Sequence, residues 1–259
     1  MPPRRLTEHL LTLCPSSYKA ATTHPFLQQA GRGTLSPSTL QAWLLQDRLY
    51  ALHYISFIST LLSKISQPST SDRSTSIQWR TTDCLIDALI NIRREIGLFE
   101  DILRREYNWG SCSSSSAGSD SDSDSKGDRP RVQTRAYMDL FSGAVAESRS
   151  LLIGMTVLWA TERCYLDAWR WARDQSGDGD GEQSAGRGKG AVLRNVLIPN
   201  WSSDEFESFV SRIGGLLDEL AAQEGVTEHD RVECEEMWRQ VLWAETNFWP
   251  DVNTKSENS

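Results

Sequence analysis

Apolar residues recur at three- and four-residue spacing through most of the chain, and this period constrains the fold more than any other feature. Such spacing places apolar side chains along one face of an α-helix, whereas a half-buried strand would alternate at every second residue. Alternating β-branched runs and Asn-Gly turns, which mark strands and hairpins, are missing. We therefore predict an all-α protein of six to eight helices, the longest of which span residues 40–65, 82–107, 134–146, 151–174, 203–223 and 227–248.

Two low-complexity segments interrupt this pattern. Residues 111–131 are rich in Ser and Asp, and residues 175–190 are rich in Gly and in charged residues. Neither segment has enough apolar surface to offset the entropy lost on folding, so we expect both to be disordered loops. We also expect residues 250–259 to be a flexible tail, and residues 1–259 to contain a single helical domain.

Two short stretches of these loop regions hold much of the acidic character of the chain. The formal net charge is −8. Residues 111–128 carry four Asp and one Lys, and residues 174–190 carry three Asp, one Glu, one Arg and one Lys, so these two stretches hold −5 of that charge. Nucleic acids and anionic membranes require a basic surface, and we predict neither as a partner. No apolar run approaches the roughly 18–20 residues that span a bilayer.

Cysteine and histidine usage gives no sign of a metal site. The five Cys are odd in number, widely spaced and without a CxxC motif, and the four His are scattered. Reduced thiols in a cytoplasmic protein fit this pattern better than a disulfide framework does. The N-terminal residues lack the apolar core of a secretory signal. We therefore expect a cytoplasmic protein with no metal and no cofactor.

Three carboxylates occupy helix faces that are otherwise apolar or aromatic, and the first of them is Asp47. It shares its face with three aromatic residues at offsets of −4, +3 and +7: Trp43, Tyr50 and Tyr54. Such a carboxylate is satisfied by a Tyr hydroxyl or a backbone amide, pairs with Arg48 at the surface, or binds a ligand.

The other two carboxylates are Glu162 and Glu245. Glu162 lies on a face with Tyr165, in a helix that is apolar nearly all round and therefore predicted to be buried. A buried Glu costs several kcal/mol unless it is partnered. Glu245 is bracketed by Val241 and Phe248, although an ordinary exposed position would also fit this acid-rich helix.

Three inward carboxylates among aromatic rings suit an amino-bearing aromatic ligand. Rings stack on such a ligand, and carboxylates accept hydrogen bonds from its N–H groups. Two close carboxylates also support general acid–base hydrolysis, because each charge raises the pKa of the other carboxyl. The chain contains ten Trp, and Trp43, Trp169 and Trp201 are candidates for lining a pocket as well as filling a core.

Several motifs resemble the TenA (thiaminase II) family. Residues 24–27 read HPFL, residues 33–36 read GTLS, and residues 43–50 read WLLQDRLY. The resemblance continues at Tyr137, at residues 159–165 (WATERCY), at Trp201, and at residues 245–249 (ETNFW). It covers nearly the whole chain apart from the two loops and the last ten residues. The family has a haem-oxygenase-like all-α bundle and forms dimers or tetramers, so the resemblance implies this fold and a homo-oligomer.

One departure from the better-known branch of that family affects the chemistry. That branch has a nucleophilic Cys in the helix that here carries Ala160. Cys164 lies one helical turn further along and does not occupy the same position. The pattern W-A-x-E-x-x-Y resembles the second branch, in which the Cys is absent and a Glu takes part. We interpret Cys164 as a small buried apolar residue.

The resemblance implies hydrolysis of the C–N bond at the methylene of an aminopyrimidine, which releases hydroxymethylpyrimidine for thiamin salvage. The substrates would be aminomethyl- or formylaminomethyl-pyrimidine. Glu245 would act as general acid–base toward the leaving amine, and Glu162 would activate water or orient the exocyclic nitrogen. Asp47 would anchor the pyrimidine amino group and a ring nitrogen. The remaining substrate-binding residues would be aromatic: Tyr50, Tyr137, Tyr165, Trp201 and Phe248.

Two alternatives remain open from the sequence. One is a haem- or oxygen-dependent oxidoreductase on the same fold, for which His24 is a candidate axial ligand, although His-Pro at a helix start more often caps or packs. The other is a non-catalytic family member that binds a pyrimidine or a partner protein.

Overall fold

The computed structural model of the chain describes residues 5–110, 129–176 and 192–252. These residues form helices and connecting turns, with no strand among them, which confirms the predicted all-α class. The ten α-helices are α1 (Leu6–Leu13), α2 (Pro15–Thr22), α3 (Pro25–Arg32), α4 (Pro37–Ser63), α5 (Ile77–Tyr107), α6 (Val132–Ala144), α7 (Leu151–Asp174), α8 (Ile198–Trp201), α9 (Asp204–Ala221) and α10 (Glu228–Phe248). A π-helical turn, Leu193–Leu197, leads directly into α8.

Side-chain caps fix the starts of the long helices. The Ser36 hydroxyl accepts a hydrogen bond from the Thr39 N–H at 3.1 Å, and the Ser203 hydroxyl accepts one from the Phe206 N–H at the same distance. Helix α5 begins five residues before the predicted start at residue 82, because the Ser76 hydroxyl caps it through the Trp79 N–H.

The periodicity does not predict the three N-terminal helices. Each of α1, α2 and α3 has eight residues, little more than two turns, so few positions repeat on one face. Proline in the first turn marks two of them, Pro15 in α2 and Pro25 in α3, and this signal could have found them.

Helix α7 is the centre of the bundle. It contacts α3, α9 and α10, and most of its side chains are buried, as the apolar run from Leu151 predicts. The contact with α3 requires a glycine at Gly31, since a Cβ there would come within 1.9 Å of the Ala172 carbonyl oxygen. This close approach fixes the HPF segment at the start of α3 against the central helix.

Four of the ten Trp form the core beneath the predicted site. The closest pair is Trp169 and Trp201, whose ring centroids lie 4.9 Å apart, and Trp43 and Trp249 complete the cluster. All four are almost fully buried. Trp243 lies on the surface with 57% of its area exposed. These four Trp therefore serve mainly to fill the hydrophobic core.

The predicted disordered segments lie for the most part outside the described residues. This applies to residues 111–128 of the first loop, residues 177–190 of the second and residues 253–259 of the tail, and the predictions of disorder stand untested. Within the described ranges, no helix is both long and apolar enough to cross a bilayer.

Candidate functional site

The first predicted site residue, Asp47, is buried in the middle of α4 with 3% of its area exposed. Its Oδ2 accepts a hydrogen bond of 3.0 Å from the Tyr165 hydroxyl of α7. The surface pairing with Arg48 does not form, because Arg48 instead binds Glu100 at 2.9 Å. Asp47 is thus satisfied by a phenol and has no cationic partner among the described residues.

The other two predicted carboxylates are held in the same way. Glu245 on α10 has 4% of its area exposed and accepts a hydrogen bond of 2.6 Å from the Tyr137 hydroxyl of α6. Glu162 on α7 is half-buried and accepts one of 2.5 Å from the Tyr54 hydroxyl of α4. Each carboxylate therefore receives one phenolic hydrogen bond from a neighbouring helix, and the other oxygen of each accepts none within the described chain.

The predicted aromatic residues surround these carboxylates. The rings of Tyr50 and Tyr137 meet edge to face at a centroid distance of 4.9 Å, and Phe248 lies 5.8 Å from both. Tyr165 contacts Trp201 at 5.2 Å. The structure therefore brings all eight predicted site residues into one cluster between α4, α6, α7, α8 and α10.

A fourth carboxylate, Glu95 on α5, belongs to the cluster and was missed from the sequence. Its Oε1 accepts a hydrogen bond of 2.9 Å from the Trp201 indole N–H. The sequence does place Glu95 on an apolar helix face, because Ile92 and Phe99 lie at −3 and +4 on the buried face of α5. The adjacent residues 93 and 94 are both Arg, which makes this stretch read as an exposed charged turn.

Burial raises the pKa of all four carboxyls well above the usual range. For Asp47 the pKa rises to about 8, through burial and then the charge of Glu95. Burial likewise raises the pKa of Glu162 to about 8 and that of Glu95 to about 7, and the charge of Glu95 adds to the effect on Glu162. The pKa of Glu245 rises to about 8, from burial and then the charges of Asp47 and Glu162, although the Tyr137 hydrogen bond opposes this.

These raised pKa values predict that the ligand-free protein loses stability between about pH 4 and pH 8. The folded state keeps protons that the unfolded chain releases near pH 4.5, so folding is favoured at the acid end of this window and the advantage disappears as pH rises. Glu245→Gln removes one such group and keeps an oxygen for Tyr137. We expect it to raise the free energy of unfolding by about 2–4 kcal/mol at pH 8 and by much less at pH 5.

Thermal melts at pH 5 and pH 8 measure this effect. The control is Glu224→Gln, which removes an exposed carboxylate after α9 and should change neither melt. Equal effects of Glu245→Gln at both pH values would contradict a buried carboxyl that is protonated in the fold.

A cleft of about 630 Å³ leads from the surface to one side of the cluster. Tyr54, Glu95 and Glu162 line its inner end, and residues of α5, α8 and α9 line most of the rest. Asp47 and Glu245 do not line it. The cleft therefore ends short of Asp47 and Glu245.

Gln46, the neighbour of Asp47, holds α6 in place. Its Oε1 accepts hydrogen bonds from the Arg131 N–H at 2.8 Å and from the Thr134 hydroxyl at 2.7 Å, and its Nε2 donates to the Arg129 carbonyl oxygen at 3.2 Å. These contacts fasten the start of α6 to α4. Because α6 carries Tyr137, Gln46 positions the phenol that binds Glu245.

The contacts of His24 and Cys164 indicate structural roles. The Nδ1 of His24 accepts a hydrogen bond from the Phe26 N–H and caps α3, as a His-Pro helix start predicts. Cys164 is fully buried, and burial raises the pKa of its thiol well above the ordinary value, with a further contribution from the charge of Glu245. In the part of the chain that the structure describes, no group of three His, Cys, Asp or Glu could hold a metal ion.

The chain is similar to known proteins in sequence and in fold. Residues 15–103 match the sequence profile of the TENA/THI-4/PQQC family. The fold is similar to that of a solved TenA homologue from Pyrococcus furiosus, with a TM-score of 0.69, 21% identity, and coverage of 94% of this chain and 98% of that one.

Two related proteins carry different names. A protein of Glycine max named "Probable bifunctional TENA-E protein" is 18% identical over 90% of this chain and 86% of its own length. A protein of Fusarium pseudograminearum named "Probable transcription factor" is 27% identical over 99% of this chain. The chain spans only 54% of the Fusarium protein, so that name describes a much longer sequence. The match of residues 15–103 to this family, on a chain with the fold of TenA homologues, confirms the resemblance that the motifs indicate.

Proposed function

We propose that the protein is an aminopyrimidine hydrolase that cleaves the C–N bond at the methylene of aminomethyl- or formylaminomethyl-pyrimidine and releases hydroxymethylpyrimidine. This reaction recovers the pyrimidine half of degraded thiamin. The match of residues 15–103 to the TENA/THI-4/PQQC family supports a thiamin-related role, and the side-chain chemistry of the cluster supports this particular substrate class.

The observation that carries the proposal is the set of four carboxyls, buried at Asp47 and Glu245 and half-buried at Glu95 and Glu162, with no Lys, Arg or His pairing with them among the described residues. Buried carboxyls are costly unless they are partnered or neutral. An aminopyrimidine offers N–H donors, a ring nitrogen acceptor and two π faces. It would therefore satisfy the second oxygens of the carboxyls and stack on Tyr50, Tyr137 and Phe248.

The same carboxyls supply the protons that hydrolysis needs. Water attacks the methylene carbon as the C–N bond breaks, with the bonding pair leaving on nitrogen. Glu162 lines the cleft and thus reaches water, so it takes the proton from the attacking water. Glu245 is closed off from solvent and has a raised pKa, so it holds a proton for the departing amine. A pKa near neutrality suits both roles.

Asp47 binds the pyrimidine ring in this proposal. With its pKa raised to about 8, the carboxyl offers an O–H to the ring nitrogen and a carbonyl oxygen to the ring amino group. The roles of Tyr165 and Trp201 follow from their contacts, since Tyr165 orients Asp47 and Trp201 closes the wall beside it. We further propose a homo-oligomer, as the family resemblance implies, and a cytoplasmic location, as the pattern of cysteines indicates.

Thermal denaturation with hydroxymethylpyrimidine tests the binding half of the proposal. A ligand that binds only the folded state stabilises it in proportion to the logarithm of its concentration over Kd. We expect a clear rise in Tm with hydroxymethylpyrimidine and none with an unrelated pyrimidine that lacks the ring amino group. The absence of a shift with any aminopyrimidine would contradict both the hydrolase and a non-catalytic pyrimidine-binding protein.

A further inference from the structure

Glu95 has no part in the roles derived above, although its surroundings resemble those of the three predicted carboxylates. It projects from α5, the helix that faces α4 across the cleft side of the bundle. The Trp201 N–H occupies Oε1, and no described residue donates to Oε2. One oxygen of Glu95 is therefore available at the inner end of the cleft.

Glu95 and Glu162 form a pair there, one from α5 and one from α7. Both line the cleft together with Tyr54, and the charge of Glu95 raises the pKa of Glu162. The cations that also line the cleft do not neutralise the pair: Arg212 binds Asp87 at 2.6 Å, and Arg94 makes no ion pair with either glutamate. Two carboxyls facing the same space, without a described cation, are complementary to an amine or ammonium group.

We propose that Glu95 is a specificity residue that binds the amino group on the methylene carbon of the substrate, beside Glu162. This inference rests on the proposed function and assigns the substrate's exocyclic nitrogen to the inner end of the cleft. The ring lies deeper, against Asp47. An amine donates two or three N–H bonds where the hydroxymethyl product donates a single O–H, so Glu95 favours substrate over product.

The position also provides a route for the leaving group. Once nitrogen has taken a proton from Glu245, the departing ammonia or amide lies beside Glu95, at the point where the cleft opens to solvent. The released ammonia or amide donates an N–H bond to Glu95 and passes outward, while water enters by the same path. The closed surroundings of Asp47 and Glu245 offer no such path in this cleft.

Binding measured without turnover tests this assignment. Calorimetry is carried out in a Glu245→Gln background, with and without Glu95→Gln, using aminomethyl- and hydroxymethyl-pyrimidine. We expect Glu95→Gln to lower the affinity for the aminomethyl compound by about tenfold or more, as loss of a charge-assisted hydrogen bond predicts. The affinity for the hydroxymethyl compound should fall by less than about twofold. The amide oxygen of the substituted side chain still accepts from Trp201, and a melting temperature no lower than that of the Glu245→Gln protein shows that the fold is intact.

The matched control is Glu205→Gln, which removes an exposed carboxylate from the outer part of the same cleft and should change neither affinity. Equal weakening of both compounds by Glu95→Gln, or no weakening of either, would overturn the specificity role and leave the proposed function standing. Failure of the protein with an intact Glu95 to bind either compound would instead overturn the proposed function. A kinetic readout adds to this, since Glu95→Gln should raise KM for the aminomethyl substrate more than it lowers kcat.

Discussion

Glu245→Gln is expected to lower kcat for hydroxymethylpyrimidine release by about 10²–10⁴-fold, the usual effect of losing a general acid or base. The substituted amide still accepts the Tyr137 hydrogen bond, so the cluster keeps its geometry, but the amide cannot donate a proton to the leaving nitrogen. The variant should therefore still bind hydroxymethylpyrimidine. Steady-state kinetics together with a thermal shift separate the two effects.

Cys164→Ala is the matched control for that experiment. The thiol is fully buried on α7, and its raised pKa disfavours the thiolate that a nucleophile requires. We expect the variant to keep activity within a few-fold of the parent protein. If Cys164→Ala abolished turnover while Glu245→Gln did not, the assignment of catalysis to two carboxylates would be wrong.

Asp47→Asn is expected to remove most of the stabilisation by hydroxymethylpyrimidine. At a ligand concentration of about 100 times Kd, binding stabilises the protein by about 2.7 kcal/mol, which corresponds to a rise of roughly 5–10 °C in Tm for a chain of this size. The carboxyl can pass its proton to the ring nitrogen and form a charge-assisted pair, whereas an amide cannot. We therefore expect the shift to fall to about 1 °C or less.

The control for this experiment is Asp83→Asn, an exposed position on α5 that should leave the ligand shift unchanged. The ligand-free Asp47→Asn protein should melt no lower than the parent, because a buried carboxyl is replaced by a neutral amide that still accepts from Tyr165. A full ligand shift in Asp47→Asn would place the pyrimidine elsewhere in the bundle.

The sequence predicts the fold wherever helices are long. In α4, α7 and α10 the apolar period repeats over five turns or more, and cap residues such as Ser36 and Thr227 mark the starts. The short N-terminal helices are not predicted, because they are stabilised by packing against neighbouring helices such as α7 and α10 and not by an apolar period of their own.

The candidate site likewise contains residues that the sequence predicts and residues that it does not. Asp47 can be predicted from the sequence because aromatic residues surround it on its own helix. Its partner Tyr165, by contrast, is 118 residues away in sequence, and no spacing rule links them. Glu95 is harder still, since two arginines precede it directly and its partner Trp201 lies on a four-residue helix. Motif resemblance supplied several of these residues, but only the three-dimensional arrangement pairs each carboxyl with its donor.

The most direct test of the central claim is incubation of the purified protein with aminomethyl- and formylaminomethyl-pyrimidine, followed by chromatographic detection of hydroxymethylpyrimidine. We predict that the product accumulates with repeated turnover from at least one substrate, and that Glu245→Gln, prepared in parallel, forms at least about 100-fold less. No product from either compound, with protein that is folded and binds hydroxymethylpyrimidine, would contradict the hydrolase and leave a pyrimidine-binding protein.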